Sequence, residues 1–168
     1  MSSRFCLGLA VAVKFIVDSN VGKLARWLRM MGYDALFFQD IDDDTMIRIA
    51  LSQNRVVLTK DTQIMKRRVV TSGRLRAVLI EDDNPRVQLR HVVKQLKLNY
   101  KLSPFSLCLE CNEKLVGQAK DEVRDRVPPY VFRAQEEYME CPACHRIYWQ
   151  GTHWEAMNKE LDKLTSEV

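Results

Sequence analysis

The segment Phe15-Ile-Val-Asp-Ser-Asn-Val-Gly-Lys-Leu-Ala-Arg-Trp-Leu-Arg-Met-Met-Gly32 decides the fold class. Its first three residues are apolar and mostly β-branched, which predicts a short buried strand that ends at Asp18. The apolar residues between Leu24 and Met31 recur at helical spacing, and Gly32 is the residue type that most often follows the end of a helix. A buried strand followed at once by an amphipathic helix favours a parallel sheet covered by helices.

The same alternation of strand and helix continues to about residue 98. Further strands are predicted at residues 35–38, 55–59 and 77–80, and further helices after the acids at 42–44 and over residues 87–98. The sequence therefore predicts a three-layer α/β/α domain over residues 14–102, with a central and mostly parallel sheet. In such sheets the working crevice lies beyond the carboxyl ends of the strands.

Length and composition agree with a soluble protein of one domain and one small module. The chain has 168 residues, of which 46% are hydrophobic and 29% charged, as is ordinary for globular proteins. A chain of this length can bury a sizeable core without disulfides. The net charge of +4 permits a polyanionic partner without requiring one, because the distribution of charge matters more than its sum.

The first residues, 1–13, are expected to be an N-terminal extension of a cytoplasmic protein. Residues 5–13 are apolar and follow Arg4, a pattern that faintly resembles the apolar region of a signal peptide. They lack a small-residue cleavage site, run directly into the next apolar segment and are too few to cross a bilayer. No membrane association is therefore expected.

Four of the five cysteines fall in two C-x-x-C pairs, Cys108-Leu-Glu-Cys111 and Cys141-Pro-Ala-Cys144. Each pair places two thiolates on one tight turn, and two such turns complete a tetrahedral zinc site. Because four thiolates leave no open position for a substrate, this zinc is expected to be structural. The alternative is two redox pairs or two local disulfides. For the fifth cysteine, Cys6, a plain apolar role is expected.

Ser103-Pro104 marks a predicted boundary, because the alternation of strand and helix stops there. We expect a zinc ribbon over residues 103–156 and a C-terminal tail over residues 157–168. The 29 residues between the two cysteine pairs exceed the usual spacing, and they predict an inserted strand pair or short helix. The aromatic segment 147–154 could stack on unpaired bases, pack within the ribbon or dock the ribbon on the α/β domain; packing is favoured.

Acidic residues follow the predicted strands and open one predicted helix. Asp18, Asp61 and either Asp82 or Asp83 stand at strand ends, and residues 42–44 are all Asp. One such residue is usually a helix cap or a turn residue. Together they would converge on one crevice, where several carboxylates cannot all stay ionised without cations. Mg²⁺ or Mn²⁺ held by carboxylates and waters is the usual solution, and it suits attack on phosphodiesters.

Basic residues surround this acidic set in the predicted fold. Those that could hold a phosphate backbone are Lys23, Arg26, Arg29, Lys60, Arg67 and Arg68. A basic rim around an acidic, metal-loaded centre is the arrangement that a nuclease needs. The alternative for each cluster taken alone is an ordinary solvated surface.

Several of these motifs occur together in a known order. They are Phe15-Ile-Val-Asp18, Gly22-Lys-Leu-Ala-Arg-Trp-Leu-Arg29, Gly32-Tyr-Asp34, Asp43 with Ile49-Ala50, Val57-Leu-Thr-Lys-Asp61, the two cysteine pairs, Val127-Pro-Pro129 and Tyr148-Trp-Gln-Gly-Thr-His-Trp154. This combination, over residues 14–156, resembles the Mut-seven C-terminal RNase family, which joins a PIN-like nuclease fold to a zinc ribbon.

The resemblance implies a metal-dependent ribonuclease. By position, Asp18, Asp43 and Asp61 match the family's acidic site, with Asp44 as a neighbour of Asp43 and Asp82 or Asp83 as the fourth acid. It implies RNA as the substrate, a structural Zn²⁺ in the ribbon and catalytic Mg²⁺ or Mn²⁺. Residues before about 13 fall outside it.

Two other functions are compatible with the same fold. One is a catalytically silent module that binds RNA or a ribonucleoprotein. The other is a different phosphotransfer enzyme of the doubly wound class, such as a haloacid-dehalogenase-like phosphatase. The motif Asp18-Ser-Asn20 lacks the second Asp that such enzymes carry two residues after the first, which counts against the latter.

Overall fold

The computed structural model of the chain describes residues 12–166, with side chains up to residue 163. The predicted extension at residues 1–13, with Cys6, therefore lies almost entirely outside the described residues. In the described part, no helix is both long enough and apolar enough to cross a membrane.

Four parallel strands form the central sheet. They are β1 (Lys14–Val17), β2 (Ala35–Phe37), β3 (Arg55–Thr59) and β4 (Ala77–Leu79), in the spatial order β2-β1-β3-β4. The register pairs Phe15 with Ala35 on one side and with Val56 on the other. The predicted parallel sheet is confirmed, and each strand lies within about a residue of its predicted position.

Helices cover both faces of this sheet. They are α1 (Lys23–Met30), α2 (Asp43–Ser52), α3 (Thr62–Lys66), α4 (Arg68–Thr71) and α5 (Pro85–Leu96). Side chains of neighbouring strand residues point to opposite faces. Phe15 and Val17 accordingly pack into the core under α1 and α5, whereas Ile16 packs into the core under α2 and α3. The predicted three-layer arrangement is therefore confirmed.

Three of the helices, α2, α3 and α5, begin where a short polar side chain caps the first turn. Asp42 accepts a hydrogen bond from the Thr45 backbone N–H at 2.9 Å, which starts α2. Asn84 does the same for the Arg86 N–H and is followed by Pro85 at the first helical position of α5. Each such cap contributes about 1 kcal/mol. The chain therefore specifies these helix starts locally.

Gly32 lets the end of α1 meet the segment that leads to the cysteines. Its φ of +93° is a conformation that side chains disfavour, and a Cβ there would lie 2.7 Å from the Ser103 backbone carbon and nitrogen. The Ser103 N–H donates to the Met31 carbonyl at 3.1 Å. The glycine thus permits a backbone contact between two distant parts of the chain.

A second, antiparallel sheet carries the cysteine pairs. Its strands are β5 (Val116–Gln118), β6 (Tyr138–Glu140) and β7 (Ile147–Tyr148), with α6 (Pro129–Ala134) and a 3₁₀ turn (Lys120–Val123) between β5 and β6. Val123, Val131 and Tyr138 form a separate small core. The long spacing between the pairs accommodates both a strand pair and a short helix, where the sequence predicted one or the other.

The last helix, α7, runs over Thr152–Ser166. Its Leu161 is fully buried in the core under α1 and α5, and Trp154 and Met157 pack against the same core. The expected tail at residues 157–168 is thus mostly part of a helix that belongs to the α/β core. The apolar spacing of Trp154, Met157 and Leu161 is helical, and it is the signal that could have predicted this helix.

Candidate active site and metal centre

Asp18 lies at the carboxyl end of β1, and its side chain is held from two sides. The residue is 8% exposed. Its Oδ2 accepts a hydrogen bond from the hydroxyl of the fully buried Thr59 at 2.5 Å, and its Oδ1 accepts one from Ser19 at 3.3 Å. Thr59 ends β3, the neighbouring strand, so the sheet itself brings these two groups together. The carboxylate is therefore fixed before any ligand arrives.

Asp61 is joined to Asp18 through the same hydroxyl. The Thr59 hydroxyl oxygen accepts a hydrogen bond from the Asp61 N–H at 2.9 Å while it donates to Asp18. The Asp61 carboxylate caps α3 by accepting from the Gln63 N–H at 2.7 Å. The prediction that strand ends bring distant acids together thus holds for this pair.

Asp43 opens α2 and shares the electrostatic environment of the same crevice. Partial burial raises the pKa of the Asp43 carboxyl, and the negative charges of Asp61 and Asp18 raise it further, against an opposing effect of Arg67. Asp44, beside it, is exposed and forms an ion pair with Arg67 at 3.2 Å. Three carboxylates, from β1, α2 and the end of β3, therefore face one region.

Two neighbouring residues, Asp82 and Asp83, are candidates for the predicted fourth acid. Asp83 forms an ion pair with Lys60, which directly precedes Asp61. Asp82 is exposed, and its carboxylate accepts a hydrogen bond from the Asn84 N–H within its own turn. The structure therefore connects Asp83, rather than Asp82, to the acidic region. We call Asp18, Asp43 and Asp61 the acidic crevice.

The oxygens of the acidic crevice are loosely spaced. Over residues 12–163, only the four cysteines form a set of three or more Cys, His, Asp or Glu whose ligand atoms all lie within 4.8 Å of one another. Loose spacing fits a hard cation that keeps part of its water shell, because Mg²⁺ commonly uses one or two carboxylates and several waters. The carboxylates present are compatible with such an ion.

The predicted basic rim is only partly a surface feature. Lys23 and Arg68 are exposed, while Lys60 and Arg67 form the ion pairs with Asp83 and Asp44. Arg26 pairs with Glu110 at 3.1 Å and keeps about half of its side chain exposed.

Arg29 differs from the rest of the predicted rim, because it is buried and its guanidinium is occupied by backbone carbonyls. It is 5% exposed. Its guanidinium donates to the Ala35 carbonyl at 2.9 Å and to the Leu109 and Glu110 carbonyls at 2.9 and 2.8 Å. Burial lowers the pKa of Arg29. The residue anchors the first cysteine turn to the α/β domain, and its place on the inner side of α1 was not apparent from charge alone.

A second polar contact, missed by sequence reasoning, joins the same parts. Arg55, at the start of β3, donates to both carboxylate oxygens of Asp34 at 2.6 and 3.0 Å. Asn112 donates to Asp34 at 2.7 Å and accepts from the Ala35 N–H at 2.9 Å. The acid in the motif Gly32-Tyr-Asp34 is therefore a structural link between the sheet and the first cysteine turn.

The four cysteines form one compact cluster. Cys111 Sγ lies 3.3 Å from Cys108 Sγ and 3.2 Å from Cys141 Sγ, and Cys108 Sγ lies 3.7 Å from Cys144 Sγ. The two turns match each other, since Asn112 and His145, each following a second cysteine, both adopt positive φ. The cluster could hold a zinc ion, because four converging sulfur ligands at two C-x-x-C turns are the usual structural zinc site.

Within the crowded cluster of thiols, the pKa values of Cys108 and Cys111 are shifted in opposite directions. Burial alone would raise the pKa of Cys108, but hydrogen bonds from the Tyr148 hydroxyl and from backbone N–H groups lower it to about 6. Burial, together with hydrogen bonds to Cys141 and Cys108, raises the pKa of Cys111. Four thiolates at these separations cannot all be ionised unless a cation is bound. The cluster therefore fits a divalent metal.

Tyr148 supports this cluster from outside it. Its hydroxyl accepts from the Leu109 N–H at 3.2 Å and lies 3.0 Å from Cys108 Sγ, so its proton is free to point at the sulfur. Burial and the neighbouring Cys108 raise the pKa of Tyr148. Such outer partners orient metal ligands. Sequence reasoning placed Tyr148 only within the aromatic segment.

Fold and site together define a class: a parallel α/β domain with an acidic crevice, joined to a four-cysteine module. The family described as "Mut7-C RNAse domain" matches residues 13–161. The chain belongs to this family, as its motifs indicated, and is therefore of a nuclease type in general. Comparison with curated proteins gave no significant match. Comparison with solved structures gave none either.

Proposed function

We propose that this protein is a PIN-like, divalent-metal-dependent ribonuclease that hydrolyses RNA phosphodiester bonds at the acidic crevice. One observation carries the proposal: the Thr59 hydroxyl joins Asp18 to Asp61 across two neighbouring strand ends. The charges of both raise the pKa of Asp43, which begins α2. The family match supports a ribonuclease-like activity. The carboxylates support a metal, because their mutual repulsion is relieved when a cation binds.

Asp18, Asp43 and Asp61 would hold Mg²⁺ or Mn²⁺. When bound, one or two such ions supply an activated water and stabilise the departing oxygen. The chain's own contribution is positioning: the Thr59 hydroxyl fixes the Asp18 carboxylate, and the Asp61 N–H fixes that hydroxyl. Asp83 is the better candidate for the fourth acid, because Lys60 links it to the same region.

The cysteine cluster would hold one structural zinc ion. Arg29 and Asn112 tie the first cysteine turn to the sheet. Through these contacts, the zinc would fix the position of the second module beside the crevice. RNA would be held by Lys23, Arg67 and Arg68, where positive charge remains near the carboxylates.

The test is to measure RNA cleavage and RNA affinity side by side at one salt concentration. Wild type is expected to cleave single-stranded RNA only with Mg²⁺ or Mn²⁺. Asp18→Asn and Asp61→Asn keep the size of the side chain but remove its charge, so each should lower the cleavage rate by at least about a thousandfold with RNA affinity unchanged or improved. Asp125→Asn, an exposed acid of the second module, is the matched control and should cleave normally.

Two results would contradict the proposal. If wild type binds RNA but cleaves neither RNA nor DNA with either metal, the protein is a silent RNA-binding module. If Asp18→Asn cleaves at the wild-type rate, the active site lies elsewhere.

A further inference from the structure

A cleft of about 510 Å³ lies between the cysteine module and α7. Its size is within the range of small-ligand sites, about 300–1,000 Å³. Five aromatic side chains contribute to its wall: Phe105, Tyr130, Tyr148, Trp149 and Trp154. Tyr130 is 67% exposed, more than any other large hydrophobic side chain in the described part of the chain. An aromatic wall with one open ring is suited to a flat partner.

The other four rings are fixed by packing. Tyr148 packs against the buried residues of the cysteine cluster. Trp149 packs against the small core of the cysteine module. Trp154 packs against the α/β core, and its ring centroid lies 4.8 Å from that of Phe105. A Cβ on Gly151 would lie 2.8 Å from Trp149 Nε1, so the glycine leaves room for the indole. The aromatic segment therefore both packs within the cysteine module and docks that module on the α/β domain. Because these rings are already held in place, the wall loses little entropy when a ligand binds.

The mouth of the cleft carries excess positive charge. Arg26 and Arg146 each contact the same oxygen of Glu110, both at 3.1 Å. Both arginine side chains are about half exposed. Two guanidinium groups that share one carboxylate leave a net positive charge. This charge complements an anionic group attached to whatever enters the cleft.

A groove extends from this mouth to the chain segment that directly follows Asp18. The groove, of about 640 Å³, is lined by Ser19 and Asn20, which directly follow Asp18, and by Lys23, Arg26 and Glu110. Arg26 and Glu110 also line the aromatic cleft. The two depressions therefore meet at this pair of residues, and the path from the cleft towards Asp18 runs past Lys23 and Arg26.

We propose that the aromatic cleft binds one unpaired nucleobase of an RNA strand whose backbone passes from the acidic crevice through this groove. The base stacks on Tyr130, and its phosphate lies at Arg26 and Arg146. The inference rests on the proposed function, since it assigns a substrate subsite beside that active site. Any base can stack on an aromatic ring, so this subsite would recognise an unpaired base whatever its identity.

The test uses Asp18→Asn as background, so that binding is measured without cleavage. Single-stranded oligoadenylates carry one 2-aminopurine at successive positions, and the fluorescence of each is recorded on binding. One position, at a fixed distance from the cleaved bond, should be strongly quenched. An abasic residue at that position should weaken binding about tenfold, which is the effect expected from one stacked base.

The second half of the test replaces side chains in the same background. Tyr130→Ala should weaken binding about tenfold, abolish the position-specific quenching and make the abasic and intact oligonucleotides bind equally. Val116→Ala, an exposed residue of the same module outside the cleft, should bind as the background does. Double-stranded RNA should show no position-specific effect.

The outcomes separate this inference from the proposed function. If wild type cleaves RNA but quenching is equal at all positions, or Val116→Ala weakens binding as much as Tyr130→Ala, the cleft is not a base site. If wild type cleaves nothing but Tyr130→Ala still removes a position-specific signal, the subsite stands and the ribonuclease proposal fails.

Discussion

The acidic crevice and the cysteine cluster are both groups of acidic side chains, but they are built differently. The four sulfurs lie within 4.8 Å of one another and come from two turns of four residues each. The three carboxylates come from elements spread over more than forty residues and do not form so tight a set. Tight and complete ligation suits a structural ion, whereas loose ligation leaves room for water and substrate.

This contrast predicts that the two centres respond differently to removal of a ligand. Removal of a thiolate should disturb folding, because structural zinc supplies folding free energy. Removal of a carboxylate should disturb chemistry, since Asp18 and Asp61 are also held by hydrogen bonds that involve no metal. The cysteine centre should therefore show the greater effect on stability.

Cys141→Ser should be the most damaging substitution. Zinc binding to comparable peptides is worth about 10–16 kcal/mol, so the second module should unfold while most of the α/β sheet persists. Wild type purified without added zinc should contain one zinc ion per chain by elemental analysis. Pro142→Ala, in the same turn, is the control and should retain the metal. A folded, zinc-free wild type with two disulfides would refute the zinc site.

Arg29→Lys should lower the free energy of unfolding by about 2–3 kcal/mol, because it leaves buried carbonyls of Ala35, Leu109 and Glu110 without their donors. The measurement is urea denaturation beside RNA affinity. Affinity at a temperature where the variant is folded should be unchanged. A large decrease in RNA affinity at unchanged stability would mean that Arg29 does belong to the substrate rim.

Mg²⁺ or Mn²⁺ should stabilise the wild type by about 1.4 kcal/mol at ten times its dissociation constant. The pKa of Asp43 is raised in the folded protein, so the metal-free protein loses stability as the pH rises from the ordinary Asp value to the folded one. The ion should cancel that decrease. Thermal unfolding at several pH values measures this effect. Equal stabilisation of Asp18→Asn would place the ion elsewhere.

Replacing Arg67 and Arg68 by Ala should have the smallest effect. Both residues are exposed, so stability should change by less than about 0.5 kcal/mol. RNA affinity should fall, and the slope of its logarithm against the logarithm of salt concentration should shrink by about one for each phosphate that the protein no longer neutralises. Lys114→Ala, on the second module, is the control. An unchanged slope would remove these two residues from the RNA path.

Much of the α/β fold could be predicted from the sequence because its signals are local. The runs at residues 15–17 and 56–58 are apolar throughout, as expected of strands covered on both faces. Asp42 and Gly32 mark a helix start and a helix end by their own chemistry. The helix α7 was not predicted because its apolar residues were divided: Trp154 was assigned to the aromatic segment of the ribbon, and Met157 and Leu161 to a tail.

Only part of the candidate site could be predicted from local sequence patterns. Asp18 and Asp61 were expected to lie close together because strand ends in a parallel sheet meet at one edge, and the Thr59 hydroxyl joins them. The choice between Asp82 and Asp83 depended on which of them contacts Lys60, and no local pattern reports that. Arg29 and Arg26 look alike in sequence, yet one is buried and the other forms part of an open cleft.

The sequence by itself determined the strands and helices of the α/β domain and the two C-x-x-C pairs, since each of these is set by residues close together in the chain. Only the tertiary structure decided the linkage of Asp18 to Asp61 through Thr59, the anchoring of the cysteine module by Arg29 and Asn112, and the aromatic cleft against α7. These features join residues tens of positions apart. Their geometry follows from how whole elements pack, and the periodicity of a single segment carries no information about that packing.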